Sequence, residues 1–423
     1  MNKVIYGLLG VYLLLKDPLY QLQAGLLGDV PLRMSYLKLF LLLSMVLVIP
    51  LFLGSSRLTK RAGWLLLIVV YNFVAVVFLN NRLPLEDRLT IYYIVMFLPL
   101  LLLVLTLGDI RFGTIRDGTR SAGRTVFLVF LMADLLVGFL QPLVGPEYYA
   151  RMGAVPFLSF NPGKFTTIYG QTRSLGFFLD AVQHGLFLNF ALYFSLGIIA
   201  VEGRKPYLFL VPMILANIYL TYTRNVYLLT ALNGALFLLL EWHRKDGSRA
   251  ARFVVKHYWM GSLAIASAIY AYGLGLGESD FSRSLLERFL SAKLVLESVS
   301  ESLTKLMLGI GYIQNDLLFK DFVVDNVLLA NLSFSGLVGV FLFVMFYLQI
   351  NQGIFSRGED FLEDSFRRTS FLFFSNLFAF GTFNNYLDSI YLFFIVPLAY
   401  FMNRDRRPSA SPGPESGKPS PST

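Results

Sequence analysis

The stretch FLDAVQHGLFLNFALYFSLGIIAV, residues 178–201, decides the fold. It is long enough to cross the hydrocarbon core of a bilayer as one helix, which takes about 20 mainly apolar residues. Similar apolar runs recur from one end of the chain to the other. Hydrophobic residues make up 56% of the 423 residues, and the mean hydropathy is +0.61. We therefore predict an all-α polytopic membrane protein with no room for a large soluble domain.

The apolar runs predict about 12 transmembrane helices when each is required to hold roughly 20 mainly apolar residues, with shorter runs allowed. Two external segments are long, 145–177 and 277–326, and the second contains apolar residues at helical spacing with charges on the other face. It predicts one or two amphipathic helices on the outer surface. The predicted spans lie near 1–16, 35–54, 63–80, 89–108, 125–144, 178–201, 206–222, 225–241, 258–276, 327–350, 369–383 and 387–402.

Basic residues set the predicted orientation, with the N-terminus inside. About 22 of the 36 Lys and Arg residues then lie on the cytoplasmic side, as the positive-inside rule expects. The polytopic domain covers 1–403, and the Pro- and Ser-rich tail 404–423 predicts a disordered cytoplasmic extension. The cytoplasmic links hold Arg57, Lys60, Arg61, Arg111, Arg116, Arg120, Arg124, Arg204, Lys205, Arg244, Lys245, Arg249, Arg252, Lys256, Arg357, Arg367, Arg368, Arg404, Arg406 and Arg407.

Composition excludes several kinds of chemistry. The chain has no cysteine and only three histidines, so thiolate sites and a histidine metal centre are excluded. The net charge of +9 is explained by basic loops beside anionic lipid, and we predict no nucleic-acid partner. Neither a P-loop, an HExxH motif nor an external acidic cluster is present, so any catalysis is predicted to need no metal and no cofactor.

Arginines on the external side are the strongest functional signal. Arg173 precedes the sixth predicted span, Arg224 lies in the turn between the seventh and eighth, and Arg288 follows Arg283 in the long outer loop. A guanidinium is a planar fork of donors that matches phosphate oxygens. Two or three of them converging would bind a pyrophosphate and stabilise it as a leaving group. Alternatively, each arginine extends to the interface or pairs with a nearby carboxylate.

Ionisable side chains near the outer ends of spans are further candidates. Asp325 is predicted either to cap the tenth span or to act as a general base, and Asn326 follows it. Asp180 and His184 lie four apart on one helix face, as a local buried pair or as part of a substrate site. Asp134, in the middle of the fifth span, predicts either a proton path or a hydrogen bond to a neighbouring helix. Possible sugar-stacking tyrosines, equally explained by chance, are Tyr169, Tyr222, Tyr227 and Tyr312.

Three blocks of sequence resemble the O-antigen ligase and O-antigen polymerase superfamily. RSLGFFLDAVQHG (173–185) resembles its Arg-x-x-Gly-x-Phe segment, and TYTRNVYLLTALNGALFLLL (221–240) its Thr-x-(Ser/Thr)-Arg turn and leucine-rich span. LGIGYIQND (308–316) followed by VVDNVLLANLSFSGLVGVFLF (323–343) is similar to its Gly-x-Gly, (His/Asp)-Asn-x-x-Leu and Gly-x-x-Gly series. The resemblance covers about residues 120–400.

The resemblance implies a GT-C-like membrane glycosyltransferase in the bacterial inner membrane, with its active site on the periplasmic face and both termini cytoplasmic. Its substrates would be undecaprenyl-pyrophosphate-linked oligosaccharides, and a chain-length-regulating membrane protein is a possible partner. Arg173 and Arg224 match the family's phosphate-binding arginines, and Arg288 matches a further loop arginine. Ligases place a histidine where this chain has Asp325, which favours polymerisation of O-antigen or exopolysaccharide repeat units. His184 is an alternative base that the family pattern does not support.

Two other functions stay open from the sequence. An O-antigen ligase would transfer a finished glycan to another acceptor. A lipid-linked oligosaccharide flippase or transporter would use charges near the bilayer centre, such as Asp134. The notable charges lie mostly at the outer edge, which favours an enzyme.

Overall fold

The computed structural model describes residues 67, 70, 71, 74, 117–145, 167–168, 171–178, 181–274, 280–311, 326–355, 362 and 365–381. This part of the chain is 88% helical. Four of its helices are long and apolar enough to cross a membrane, by length and composition. A helical membrane protein follows, while the count of 12 spans, their orientation and the tail 404–423 stay predictions.

Nine α-helices with described bounds and one small hairpin account for most of the described ranges, and residues 67, 70, 71 and 74 are also helical. The hairpin pairs β1 with β2 antiparallel, with Thr167 opposite Thr172, and a short 3-10 helix, Lys205–Phe209, precedes α3. The elements are α1 Asp117–Val144, β1 Thr167–Ile168, β2 Gln171–Thr172, α2 Ala181–Glu202, α3 Leu210–Leu220, α4 Arg224–Asp246, α5 Arg249–Leu274, α6 Asp280–Ser300, α7 Leu303–Leu308, α8 Val327–Phe355 and α9 Ser365–Gly381.

Helices are found at each described position where the sequence predicts a span, but their ends differ: α1 begins at Asp117 instead of 125, and α9 at Ser365 instead of 369. Two further differences change how the chain is divided. The span predicted at 206–222 is divided, because Pro206 starts a 3-10 helix and α3 itself has only 11 residues. A helix of that length rises about 16 Å, roughly half the hydrocarbon thickness. The predicted loop 242–257 is wrong: α4 and α5 extend through it and leave only Gly247 and Ser248 between them.

The first helix, α1, has an exposed apolar face and a buried face that carries polar side chains. Exposed apolar side chains recur along one stripe, where Val129, Leu136 and Leu143 are 66%, 60% and 82% exposed. Spacing of seven residues puts them on the same side of the helix. On the opposite face Asp134 and Gln141, also seven apart, are buried. A wide apolar stripe open to the surroundings is typical of contact with lipid acyl chains.

The helices α2 and α9 form the centre of the described bundle. Helix α2 is apolar nearly all round, with 78% of its candidate span buried, as expected of a helix enclosed by others. Helix α9 packs against α2, α4, α5 and α8, and α1 packs against α3. Aromatic side chains from α1, α2 and α9 fill the space between them, including Phe127, Phe190 and Phe373.

Arg368 corrects the charge distribution predicted from the sequence. It is not a loop residue but belongs to the first turns of α9, and it is fully buried. Its guanidinium forms an ion pair with Glu241 of α4 and stacks 4.6 Å from the centroid of the Phe237 ring. Arg244 contacts the other carboxylate oxygen of Glu241 at 2.9 Å. Arg368, predicted to lie in a loop, therefore joins α4 to α9.

The amphipathic helices predicted in 277–326 are found as α6 and α7, and the end of α7 packs against a break in α8. Gly336 interrupts α8 with φ 64° and ψ −166°. A Cβ on Gly336 would lie 2.6 Å from the backbone nitrogen of Gly309, so only glycine fits. Ile310 N–H donates to the Ser333 carbonyl at 2.8 Å, and the Tyr71 hydroxyl donates to the Ser335 carbonyl. The end of α7 thus lies beside the middle of the apolar window 328–345 of α8.

Candidate functional site

Arg173 is held by the turn that precedes Arg224. Its Nε donates to the Thr221 carbonyl at 2.9 Å, and one terminal nitrogen donates to Thr223 Oγ1 at 2.6 Å. Only 9% of the residue is exposed. A carbonyl and a hydroxyl are neutral acceptors, so these two bonds orient the guanidinium without themselves cancelling its charge. The structure therefore brings the first two predicted phosphate-binding arginines to the same turn.

The turn between α3 and α4 has a strained backbone that directs Arg224. Tyr222 adopts φ 47°, a left-handed conformation that is uncommon for residues other than glycine. Thr223 is extended, and its hydroxyl donates to the Thr221 carbonyl at 3.0 Å. Arg224 is the first residue of α4 and is exposed. The helix N-terminus adds partial positive charge at this turn, which also binds the Arg173 guanidinium.

The irregular segment 174–178 leads from Arg173 to α2 and is fixed by Gln141 of α1. Oε1 of Gln141 accepts from the backbone nitrogens of Leu175 and Gly176, at 2.7 and 2.9 Å. Its Nε2 donates to the Gly176 carbonyl at 2.8 Å. Non-helical backbone at membrane depth persists only where protein groups satisfy its hydrogen bonds. One buried glutamine does this for two successive residues.

A buried pair, Asp134 of α1 and His184 of α2, lies beside the same segment. His184 Nε2 is 3.0 Å from Asp134 Oδ2, and both side chains are completely buried. The remaining oxygen, Asp134 Oδ1, accepts from Phe177 N–H at 2.8 Å. The structure thus pairs His184 with Asp134. Asp180 lies outside the described residues, so its predicted pairing with His184 stays a prediction. For Asp134, the hydrogen bond to a neighbouring helix is confirmed.

Gly176 allows the segment to pass over this pair. It has φ 53°, and a Cβ at this position would collide with Asp134 Oδ1 and lie 2.6 Å from His184 Nε2. Any larger residue is therefore excluded both by the backbone conformation and by the lack of space.

Three tyrosines cluster next to Arg224. The rings of Tyr219 and Tyr227 stack with centroids 6.4 Å apart, and Tyr222 lies 5.7 Å from Tyr219. Tyr219 is 63% exposed. The sequence named Tyr222 and Tyr227 as possible sugar-stacking residues but missed Tyr219. Tyr169 and Tyr312 lie outside the described residues.

Of the remaining candidate residues, the structure describes the side chain of Asn326 but not those of Arg283, Arg288 and Asp325. Arg283 and Arg288 belong to α6, but their side chains lie outside the described part, as does Asp325. Asn326, the residue after Asp325, caps α8, and its Oδ1 accepts from Leu328 and Leu329 N–H at 2.9 and 3.1 Å. The cap falls there because α8 begins at the next residue.

Among the described residues, no group of three or more His, Asp and Glu side chains could hold a metal ion. Comparisons of the chain with protein-family models, with curated proteins and with solved structures find no match. The family resemblance of the three sequence blocks therefore stays a prediction.

Proposed function

We propose that the protein is a membrane glycosyltransferase that polymerises undecaprenyl-pyrophosphate-linked oligosaccharide repeat units. One observation carries the proposal: the guanidinium of Arg173 is built into the turn whose next residue is Arg224. Two cationic side chains at the start of a helix form an arrangement suited to a diphosphate. The identity of the lipid-linked donor comes from the sequence resemblance.

In the proposed reaction Arg173 and Arg224 bind the diphosphate of the donor. A hydroxyl oxygen of the acceptor sugar attacks the anomeric carbon, and the bond between that carbon and the diphosphate oxygen breaks with inversion. The hydroxyl proton goes to a base, for which Asp325 is the candidate from the sequence. Polyprenyl diphosphate leaves with the electron pair. The arginines stabilise the charge that develops on this leaving group, which is the largest contribution such a site can make.

The tyrosine cluster supplies a candidate surface for sugars. The rings of Tyr219, Tyr222 and Tyr227 lie together at the turn that contains Arg224. Aromatic faces pack against the apolar faces of sugar rings, while phenol hydroxyls bond to sugar hydroxyls. A sugar linked to a diphosphate at Arg224 would lie within reach of this cluster.

The proposal is tested with purified protein and a synthetic polyprenyl-pyrophosphate repeat unit, with products read by mass spectrometry. Arg173→Ala and Arg224→Ala are each expected to lower the rate about 10²–10³-fold, as loss of one preorganised donor to a developing anion does. Lysine should restore little at either position, because a point charge does not replace a bidentate fork. The matched control is Arg204→Ala, which removes an exposed arginine paired with Glu202.

Several outcomes would contradict the proposal. Wild-type rates from both alanine variants would remove the diphosphate role. Strict dependence on an added divalent cation would remove the metal-independent mechanism, for which we expect full activity in EDTA. A product in which a finished glycan is moved whole to another acceptor would indicate a ligase.

The predicted orientation can be tested because the chain has no cysteine. Asp246 at the end of α4 and Glu301 before α7 are both exposed. In spheroplasts, a membrane-impermeant maleimide should label Glu301→Cys directly and Asp246→Cys only after permeabilisation. The reverse pattern would put the arginine turn on the wrong side for a periplasmic reaction.

A further inference from the structure

The buried pair beside Arg173 can be assigned its protons from its neighbours. The orientation of the Asn217 amide is fixed by its neighbours, because its Nδ2 donates to the carbonyl oxygens of Leu135 and Met213 at 3.3 and 3.5 Å. Its Oδ1 therefore faces Ser174, whose hydroxyl donates to it at 3.0 Å. A serine hydroxyl has only one hydrogen to donate. The Ser174 hydroxyl consequently presents a lone pair, not a hydrogen, to His184.

His184 must carry a hydrogen on Nδ1. That nitrogen lies 3.2 Å from the Ser174 carbonyl oxygen and 3.4 Å from Ser174 Oγ, and both atoms act as acceptors here. A bare Nδ1 would place lone pairs against lone pairs in a fully buried site, which is costly. With Nδ1 protonated, the ring donates to the segment that leads from Arg173.

One more proton lies between His184 Nε2 and Asp134 Oδ2. The two atoms are 3.0 Å apart, so one of them must donate. Either a carboxylate faces an imidazolium or a carboxyl faces a neutral imidazole, and both arrangements give the pair a net charge of zero. A neutral pair avoids the cost of an uncompensated charge in the apolar interior.

This pair and Gln141 together hold the segment 174–177. The pair binds the Ser174 carbonyl and the Phe177 N–H, while Gln141 binds the residues between them. Ser174 N–H donates to the Leu220 carbonyl at 2.8 Å, which ties the segment to the end of α3. The backbone that leaves Arg173 is therefore fixed from both sides.

We propose that Asp134 and His184 are positioning residues for Arg173: a net-neutral, proton-sharing pair that fixes the segment 174–177, so that the guanidinium meets the donor diphosphate. This rests on the proposed function. In this role neither residue contacts the substrate, and neither gains or loses a proton during the reaction. The pair differs in this respect from a proton carrier and from a general base.

Asp134→Asn tests the assignment directly. An asparagine can accept from Phe177 N–H through Oδ1 and donate from Nδ2 to the bare Nε2 of a neutral His184, so every hydrogen bond is kept. We expect its kcat/KM to stay within about threefold of wild type, since hydrogen-bond partners are exchanged without being lost. Asp134→Leu, of similar size, makes neither bond, and we expect a loss of about 10–100-fold, as displaced binding groups typically cause.

A double-mutant cycle with Arg173→Lys separates positioning from an independent effect on the fold. If the pair acts through Arg173, Asp134→Leu should cost several-fold less in the Arg173→Lys background than in wild type. Losses that multiply fully would overturn the proposal. So would an Asp134→Asn variant that is as inactive as Asp134→Leu, because a side chain that transfers protons cannot be replaced by an amide.

Folding of each variant is monitored by the amount of protein in the membrane and by thermal unfolding in detergent. If Asp134→Leu does not accumulate, the test is the kcat/KM of Asp134→Asn compared with that of wild type. Failure of the proposed function gives a different result: the wild-type protein would then make no polymer from the repeat unit, or Arg173→Ala would keep full polymerising activity. If Arg173→Ala is inactive and Asp134→Asn is also inactive, only the positioning role is refuted.

Discussion

Gln141→Leu should strongly destabilise the protein, because this one side chain bonds to three buried backbone groups. The substitution keeps roughly the same volume but removes the partner of three backbone groups, the nitrogens of Leu175 and Gly176 and the carbonyl of Gly176. Gln141, Leu175 and Gly176 are all buried, so water cannot replace the lost bonds. Each unsatisfied buried group costs about 1–3 kcal/mol, which gives about 3–9 kcal/mol for the three.

Part of this cost is offset. Leucine is more apolar than glutamine, and the added methylene-sized apolar surface returns about 1 kcal/mol when buried. A net loss of about 2–8 kcal/mol is large beside a total stability of about 5–15 kcal/mol. For a chain of 423 residues about 1 kcal/mol shifts the unfolding midpoint by about 1 °C, so we expect the midpoint in detergent to fall by about 2–9 °C. Polymerising activity should fall with it because the segment follows Arg173.

The measurement is thermal unfolding of purified protein followed by intrinsic fluorescence, with Gln171→Leu as the control. Gln171 is exposed on β2, where a surface substitution changes stability by about 0.5 kcal/mol or less. If both Gln141→Leu and Gln171→Leu have the unfolding temperature of wild type, the three hydrogen bonds of Gln141 do not stabilise the segment, and this prediction is wrong.

Three further outcomes follow from the described contacts. Gly336→Ala should lower the unfolding temperature more than Gly203→Ala. Both glycines have positive φ, but only at position 336 would the alanine Cβ collide with the backbone at the end of α7. Arg368→Met should cost about 1–3 kcal/mol in thermal unfolding, because Glu241 loses its buried partner but keeps its pair with Arg244, and adding Glu241→Gln should recover part of the loss. Thr223→Val, which removes a hydrogen bond to Arg173, should lower polymerising activity about tenfold while Thr223→Ser keeps it, as expected for a hydrogen bond to a charged group.

Hydropathy was enough to predict the helices of the described region because lipid-facing and buried helices both require long apolar runs. The positions of α2, α4 and α8 follow the predicted spans closely. Their ends were less predictable. Basic residues after 241 were assigned to a loop, yet α4 continues to Asp246, where Gly247 with φ 62° terminates it.

The candidate site was only partly predictable. Arg173 and Arg224 were found from their charge, but the partners of Arg173 were not, since a carbonyl and a threonine hydroxyl give no signal in the sequence. The polar residues that bind the segment after Arg173 were only weakly indicated by the sequence. Asn217 is the one strongly polar side chain in α3, and Gln141 interrupts the apolar run near the end of α1. Residues 141, 174, 184 and 217 are far apart in the chain, so their meeting depends on how α1, α2 and α3 pack.

The contacts of Asp134 bear on the choice between an enzyme and a transporter. A carboxylate in the middle of a span is usually part of an ion or proton path, and the sequence left that role open. In the structure both of its oxygens are engaged, one by His184 and one by Phe177 N–H, and the side chain is fully buried. Such a group holds two helices and an irregular segment together without needing to change its charge. Proton-coupled transport would need that change, so a transporter should lose function in Asp134→Asn, whereas the glycosyltransferase should keep it.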